Sequence, residues 1–207
     1  MHRILRMITQ GEGSMLDFKK EISSSQRIAK SIVAFANHKG GTLLVGVRDD
    51  GTLAGVKAEE EKFMLEQAAT FFCKPEIHLE IHEWAIRGKL ILEVIIPEGS
   101  DKPYYAKDEY DKWWVHIRVG DQSLLASKVV VDVLKKSNGS QPNLVEFSSK
   151  EKALLDYLRD HNKITIKQYC KLINISRWRA IKIIVNLVSM GVIRSHTTEK
   201  TEFFTLS

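Results

Sequence analysis

The chain has 207 residues, 43% hydrophobic and 28% charged, with a formal net charge of +5. That is enough apolar material for one large core or two small ones, and no apolar run approaches the ~20 residues of a membrane helix. The start, MHRILRMITQGEG, lacks the apolar stretch and cleavage site of a secretory signal. Cys73 and Cys170 lie far apart, which suits buried thiols in a reducing cytoplasm rather than a disulfide.

In chain order, Leu16 to Lys19 reads as a short strand. From about Ser25 to His38, Ile28, Ile32, Phe35 and Ala36 fall at helical spacing, widened by Ala29 and Val33. Ser24 or Ser25 is the expected N-cap, and Gly40-Gly41 ends the helix. The continuously apolar TLLVGV predicts a strand covered on both faces. Asp50-Gly51 predicts a hairpin turn, with LAGV as the returning strand. Residues 58–73 read as a helix. EIHLEIHEWAI and KLILEVIIP form a hairpin around Arg87-Gly88, KWWVHIRV is a further strand, and SKVVVDVLKK a helix. The expected class is a mixed α+β domain over residues 1–136, not a doubly wound parallel sheet.

SNGSQPN, residues 137–143, has the composition of a linker, and the domain boundary is expected across 137–147. Beyond it, SSKEKALLDYLRDHN opens on a Ser cap and carries Ala153, Leu154, Tyr157 and Leu158 at helical spacing. TIKQYCKLI is a second helix. SRWRAIKIIVNLVSMGVI is a third, capped by Ser176 and closed by Gly191, and the rest reads as two strands around a turn. This order, over residues 148–207, resembles a winged helix, in which the third helix docks in the DNA major groove. The charge is uneven. Residues 1–147 carry 20 Lys and Arg against 21 Asp and Glu, whereas residues 148–207 carry 11 against 5. A basic segment of this kind suits a phosphate backbone, because binding releases condensed counterions; a solvated basic face is the plainer alternative.

Residues 11 to 56 hold a more specific pattern. It runs Glu12, then Asp17-Phe18-Lys19, then Ala34-Phe35-Ala36-Asn37, Gly40-Gly41, and Gly46-Val47-Arg48-Asp49. Later, WWVHIRVGDQSLLAS places Arg118 and Gly120 in an Arg-Val-Gly segment. As a composite over roughly residues 5 to 136, this resembles the Schlafen-type domain, also called Alba-like or divergent AAA-type. Asp17 stands where that family usually has glutamate. The resemblance implies a nucleic-acid-binding protein, with a transcriptional regulator as the expected role and DNA favoured over RNA as partner. In nucleolytic members, three acidic residues at the positions of Glu12, Asp17 and Asp49 bind a divalent metal for RNA cleavage. The alternative reading is therefore a metal-dependent endoribonuclease using Mg²⁺ or Mn²⁺. The same carboxylates could instead anchor a helix N-terminus or pair with Lys19.

The candidate nucleic-acid contacts are Lys19, Arg118, Ser176, Arg177, Arg179, Lys182 and Lys200, the last at the expected wing tip. Lys19, Asn37, Gly40 and Gly41 could form a phosphate-contacting ledge, or Gly40-Gly41 could only end a helix while Asn37 bonds a turn. No Gly-x4-Gly-Lys-Ser/Thr loop is present. His78, His82 and Cys73 fall short of a zinc set, so no structural zinc is expected. Of Trp113 and Trp114, one is expected in the core, and the other in an interface or on a base. Homo-oligomerisation and ligand sensing by the first domain stay open.

Overall fold

In the computed structural model, which describes residues 3–137 and 148–207, the chain divides into two units, Met1–Leu125 and Ala126–Ser207. The first unit is built on a four-stranded sheet. Strands β1 (Leu16–Lys19), β2 (Gly41–Val45), β4 (Glu80–Ile86) and β5 (Lys89–Ile96) lie in the order β1-β2-β5-β4. β1 and β2 are parallel, joined by helix α2 (Ser25–Asn37), and the other pairs are antiparallel. The α+β class follows from this mixture of one βαβ crossover with hairpins.

Alternation along β2 and β5 sends side chains to two cores. Leu43, Val45, Leu92 and Val94 meet α2 and helix α3 (Ala58–Phe71) on one face. Leu44 and Ile91 meet Ile4 on the other. Ile32 through Asn37 are all buried, as expected of a helix that is apolar on every side. The helix is enclosed by the main sheet, by α3, and by two small sheets. One of these is β3 (Cys73–Lys74), β6 (Tyr105–Lys107) and β7 (Trp113–Trp114). The other is β8 (His116–Val119) with β9 (Gln122–Leu125).

Several expectations are revised. KWWVHIRV is not one strand, because β7 and β8 belong to different sheets. The Asp50-Gly51 turn forms, with the Gly51 N–H donating to Arg48 O at 2.8 Å, but LAGV contributes only a bridge between Val47 and Leu53. Trp113 and Trp114 are both half-exposed rather than one being core. Helix α1 (Arg3–Gln10) was not anticipated. It caps the second face of the sheet with Ile4, helped by Leu5, Met7 and Ile8.

α1 is held by more than apolar contact. Glu93, in the middle of β5, is fully buried on the α1 face. The Arg3 guanidinium meets both its oxygens, at 2.8 and 2.9 Å, and Trp84 Nε1 donates to it at 3.0 Å. A buried carboxylate is tolerable only with such partners.

The second unit holds helices α4 (Lys128–Ser137), α5 (Ser149–His161), α6 (Ile166–Leu172) and α7 (Arg177–Ser189), and the antiparallel hairpin β10 (Ile193–Thr197) and β11 (Glu202–Leu206). A backbone bridge pairs Ile164 with Phe204. The core gathers Leu154, Leu158, Tyr169, Ile184, Leu187 and Phe204. The starts of α5, α6 and α7 are signed by their sequence. Ser148 with Glu151, and Thr165 with Gln168, form capping boxes, and the Ser176 hydroxyl accepts from the Arg179 N–H. α4, counted with residues 1–136 in the sequence reading, packs in this second unit. Val129 is buried in its core, and Lys136 Nζ donates to Asn186 Oδ1 at 2.7 Å. Apart from Ser137, the linker expected at 137–147 lies outside the described residues. Among the described residues no helix is long and apolar enough to cross a membrane.

Arg3→Ala should therefore leave Glu93 with one strong donor inside the sheet. We expect a loss of about 3 kcal/mol, read as a lowered denaturation midpoint of the first unit. An unchanged midpoint would show that α1 is not latched by this pair.

Candidate functional site

The acidic motif converges in part. Glu12 follows α1, and its Oε1 accepts from the Phe18 N–H at 2.7 Å, pinning the entry of β1. Asp17, on β1, is buried. Its Oδ2 lies 3.0 Å from Lys19 Nζ and 3.8 Å from Arg118 Nη1. Lys19 Nζ also donates to Phe18 O at 2.7 Å. Arg118 reaches in from β8. Its Nη2 donates to Gly13 O at 2.6 Å and its Nη1 to Ser123 Oγ at 3.1 Å, and its guanidinium lies 4.5 Å from the Phe35 ring centroid.

The electrostatics follow from this burial. Glu12 is pushed above the ordinary carboxylate range by burial and by the adjacent Asp17, against the pull of the Phe18 N–H and Lys19. Burial lowers the Arg118 pKa, opposed by Asp17, Glu12 and Asp121.

Asp49 does not join them. It is exposed, in the turn after β2. Among the described residues no group of three His, Cys, Asp or Glu side chains could hold a metal ion. The three-carboxylate Mg²⁺ or Mn²⁺ centre expected from the sequence is therefore not assembled. The donor set gives the reason. Asp17 is committed to two cations and Glu12 to a backbone N–H, and a buried guanidinium stands where a metal would add like charge.

Two further expectations are corrected. Arg118 is not placed to contact nucleic acid, because its side chain is only 1% exposed. The phosphate ledge of Lys19, Asn37, Gly40 and Gly41 is not formed either. Asn37 is buried, with Nδ2 donating to Tyr104 O and His116 O at 2.9 Å and Oδ1 accepting from the Tyr104 N–H at 2.7 Å. A Cβ on Gly41 would sit 2.4 Å from the Phe35 ring. Gly40 has φ +71° and approaches the Ile96 carbonyl, so both glycines answer to close approach. Lys19 keeps a side chain 37% exposed. Cys73 is buried, its thiol pushed up to about 12, and His82 Nε2 pairs with Glu80 at 2.8 Å.

The second unit offers a different surface. It carries 14 Lys and Arg against 7 Asp and Glu, whereas the first unit carries 17 against 19. Residues 161–198 contain seven Lys and Arg and no acidic residue. On α7, Ala180, Ile181, Ile184 and Val185 are buried, while Arg177, Trp178, Arg179 and Lys182 are exposed. Ser176 caps that helix with its Oγ. Lys200 is exposed in the β10–β11 turn. Trp178, not singled out as a contact from sequence, is 59% exposed, and Lys182 Nζ lies 3.9 Å from its ring centroid.

Residues 12–127 match the family model described as Schlafen, AlbA_2, and the chain belongs to that family. No curated protein matches it. Two solved structures are similar. One is the DIP2311 protein of Corynebacterium diphtheriae, 18% identical with a TM-score of 0.47, over 62% of this chain and 28% of that one. The other is the N-terminal domain of a RecG-related protein from Nitrosomonas europaea, 21% identical with a TM-score of 0.42, over 60% of this chain and 93% of that one. The present chain thus spans under a third of the DIP2311 protein.

Two outcomes follow from the acidic cluster. Asp17→Asn strips Arg118 of its buried counter-charge and should cost about 3 kcal/mol, while millimolar Mn²⁺ or chelator leaves the wild-type midpoint unchanged. A clear upward shift with Mn²⁺ would restore the metal reading. For Glu12, the folded state holds the proton more tightly than the unfolded chain. Its contribution to stability is therefore lost as pH rises from about 4.5 through the raised folded value. Glu12→Gln should flatten that part of the stability profile, and identical profiles for the two proteins would refute the assignment.

Proposed function

We propose that this member of the Schlafen, AlbA_2 family binds DNA through its second unit and acts as a transcriptional regulator. In this reading residues 148–207 form a winged helix, with α7 entering the major groove and the β10–β11 turn as the wing. The observation that carries it is the acid-free, basic stretch 161–198, three of whose seven cations, Arg177, Arg179 and Lys182, are exposed on α7.

Several features support the reading. Helix, helix, helix and hairpin occur in the winged-helix order, with Ile164 bridging to β11. The exposed cations cluster at the start of α7, the end that meets base edges in such domains. Ser176 holds that end rigid as its cap, and its O–H stays available to a phosphate. Toward the other end of α7, α4 lies alongside through Lys136 and Asn186, leaving the first two turns as the groove-facing part. The charge difference orients the encounter, because the second unit attracts a polyanion and the first does not.

Arg177, Arg179 and Lys182 are assigned to phosphates or guanine edges, Lys200 to a flanking phosphate, and Lys19 is at most a peripheral contact. The full-length chain should bind a labelled duplex with a steep negative salt dependence. Replacing Arg177 and Arg179 by alanine should weaken binding tenfold or more. It should also flatten the log–log salt slope by about 2, since each phosphate left without its cation removes about 0.9. The denaturation midpoint should not move, since both side chains are exposed. Absence of any duplex binding by the wild type at low salt would end this reading.

A further inference from the structure

We infer that Trp178 reads a thymine: its indole is held at the mouth of the groove-facing helix to contact a thymine C5-methyl group in the major groove. The inference rests on the DNA reading above and adds a base preference to it.

A tryptophan is the largest apolar side chain, and on a small basic domain the usual place for it is the core. The core of this unit is already filled by Leu154, Tyr169, Ile184 and Phe204. Trp178 instead stands 59% exposed in the first turn of α7, with exposed Arg177 and Arg179 on either side. It is also oriented. Lys182, four residues on and so on the same helix face, places its Nζ 3.9 Å from the ring centroid. A cation at that distance favours this ring orientation through its quadrupole, which reduces the freedom lost on docking. With an ammonium over one ring face, sandwich stacking of that face on an unpaired base is disfavoured, and the ring edge and second face are left for an apolar contact.

The surroundings name the occupant. No acidic residue occurs between Asp160 and Glu199, so an exposed apolar ring here sits in positive potential, where a polyanion gathers and a basic partner is repelled. On a duplex, the apolar feature presented to a major-groove helix is the thymine methyl. A wholly electrostatic interface would have no use for an indole at this position.

The test uses the full-length protein. Random-sequence duplexes are enriched by binding, and the enriched site is resynthesised with uracil replacing each thymine in turn, which removes only the methyl group. At one position the change should weaken wild-type binding about fourfold, as expected for one buried methyl. It should have no effect on Trp178→Ala, and an intermediate effect on Trp178→Phe. Trp178→Ala should keep the wild-type salt slope, because the substitution removes no charge. The inference is overturned if no uracil substitution weakens the wild type, or if Trp178→Ala weakens thymine and uracil sites equally. It is also overturned if Trp178→Ala instead abolishes binding to single-stranded oligo(dT), which would assign stacking. If the wild type binds no duplex at all, the broader DNA reading fails first, an outcome distinct from each of these.

Discussion

The first unit depends on the burial of one cation. The Arg118 guanidinium is almost wholly inside the protein, and an uncompensated charge there would be very costly. Its compensation comes mainly from distant parts of the chain, a carbonyl at Gly13, the Asp17 carboxylate on β1 and the ring of Phe35 on α2, with a hydroxyl at Ser123 on the neighbouring strand β9. Compensating this one charge therefore brings the β8–β9 hairpin against β1 and α2, although its buried Nε finds no acceptor among the described residues. The acidic motif is best understood from this side. Asp17 neutralises buried and half-buried cations, and Glu12, held by the Phe18 N–H, shapes the approach to β1.

Other motif residues obey the same economy of buried polar groups. Asn37 uses both ends of its amide to hold the backbone at Tyr104 and His116 beneath α2. Gly40 and Gly41 let the chain turn where the Ile96 carbonyl and the Phe35 ring leave no room for a Cβ. Glu93 does on the opposite face what Arg118 does here, drawing Arg3 and with it α1 onto the sheet. These polar groups each hold a segment of the unit in place.

The second unit is organised by contrast between its two surfaces. Most of its apolar side chains form one core, Trp178 being the largest left outside it, and its cations stay outside too, with no carboxylate among residues 161–198 to neutralise them. This segregation is what a polyanion-binding surface requires. In the first unit cations and carboxylates are nearly balanced and in several places paired.

The α+β class, the elements β1, α2 and β2, the serine caps at Ser24 or Ser25, at the start of α5 and at Ser176, the helix–helix–helix–hairpin order and the charge imbalance were all legible in the sequence, whereas the parallel pairing of β1 with β2 was not. Each depends on neighbours a few residues apart, where periodicity, turn chemistry and capping act. α1 escaped notice although RILRMITQ is amphipathic, because a helix of eight residues is marginal until a sheet receives it. That the second unit begins before α4 was likewise decided by what Val129 found to bury against. The family resemblance grouped Glu12, Asp17 and Asp49, with Lys19 beside them, and made Arg118 a nucleic-acid contact. Only the tertiary structure separated the exposed Asp49 from the half-buried Glu12 and buried Asp17, and turned Arg118 from a surface contact into an internal strut. The reason is physical: sequence fixes which groups carry charge, but whether a charge meets solvent or a partner depends on segments a hundred residues apart closing over it.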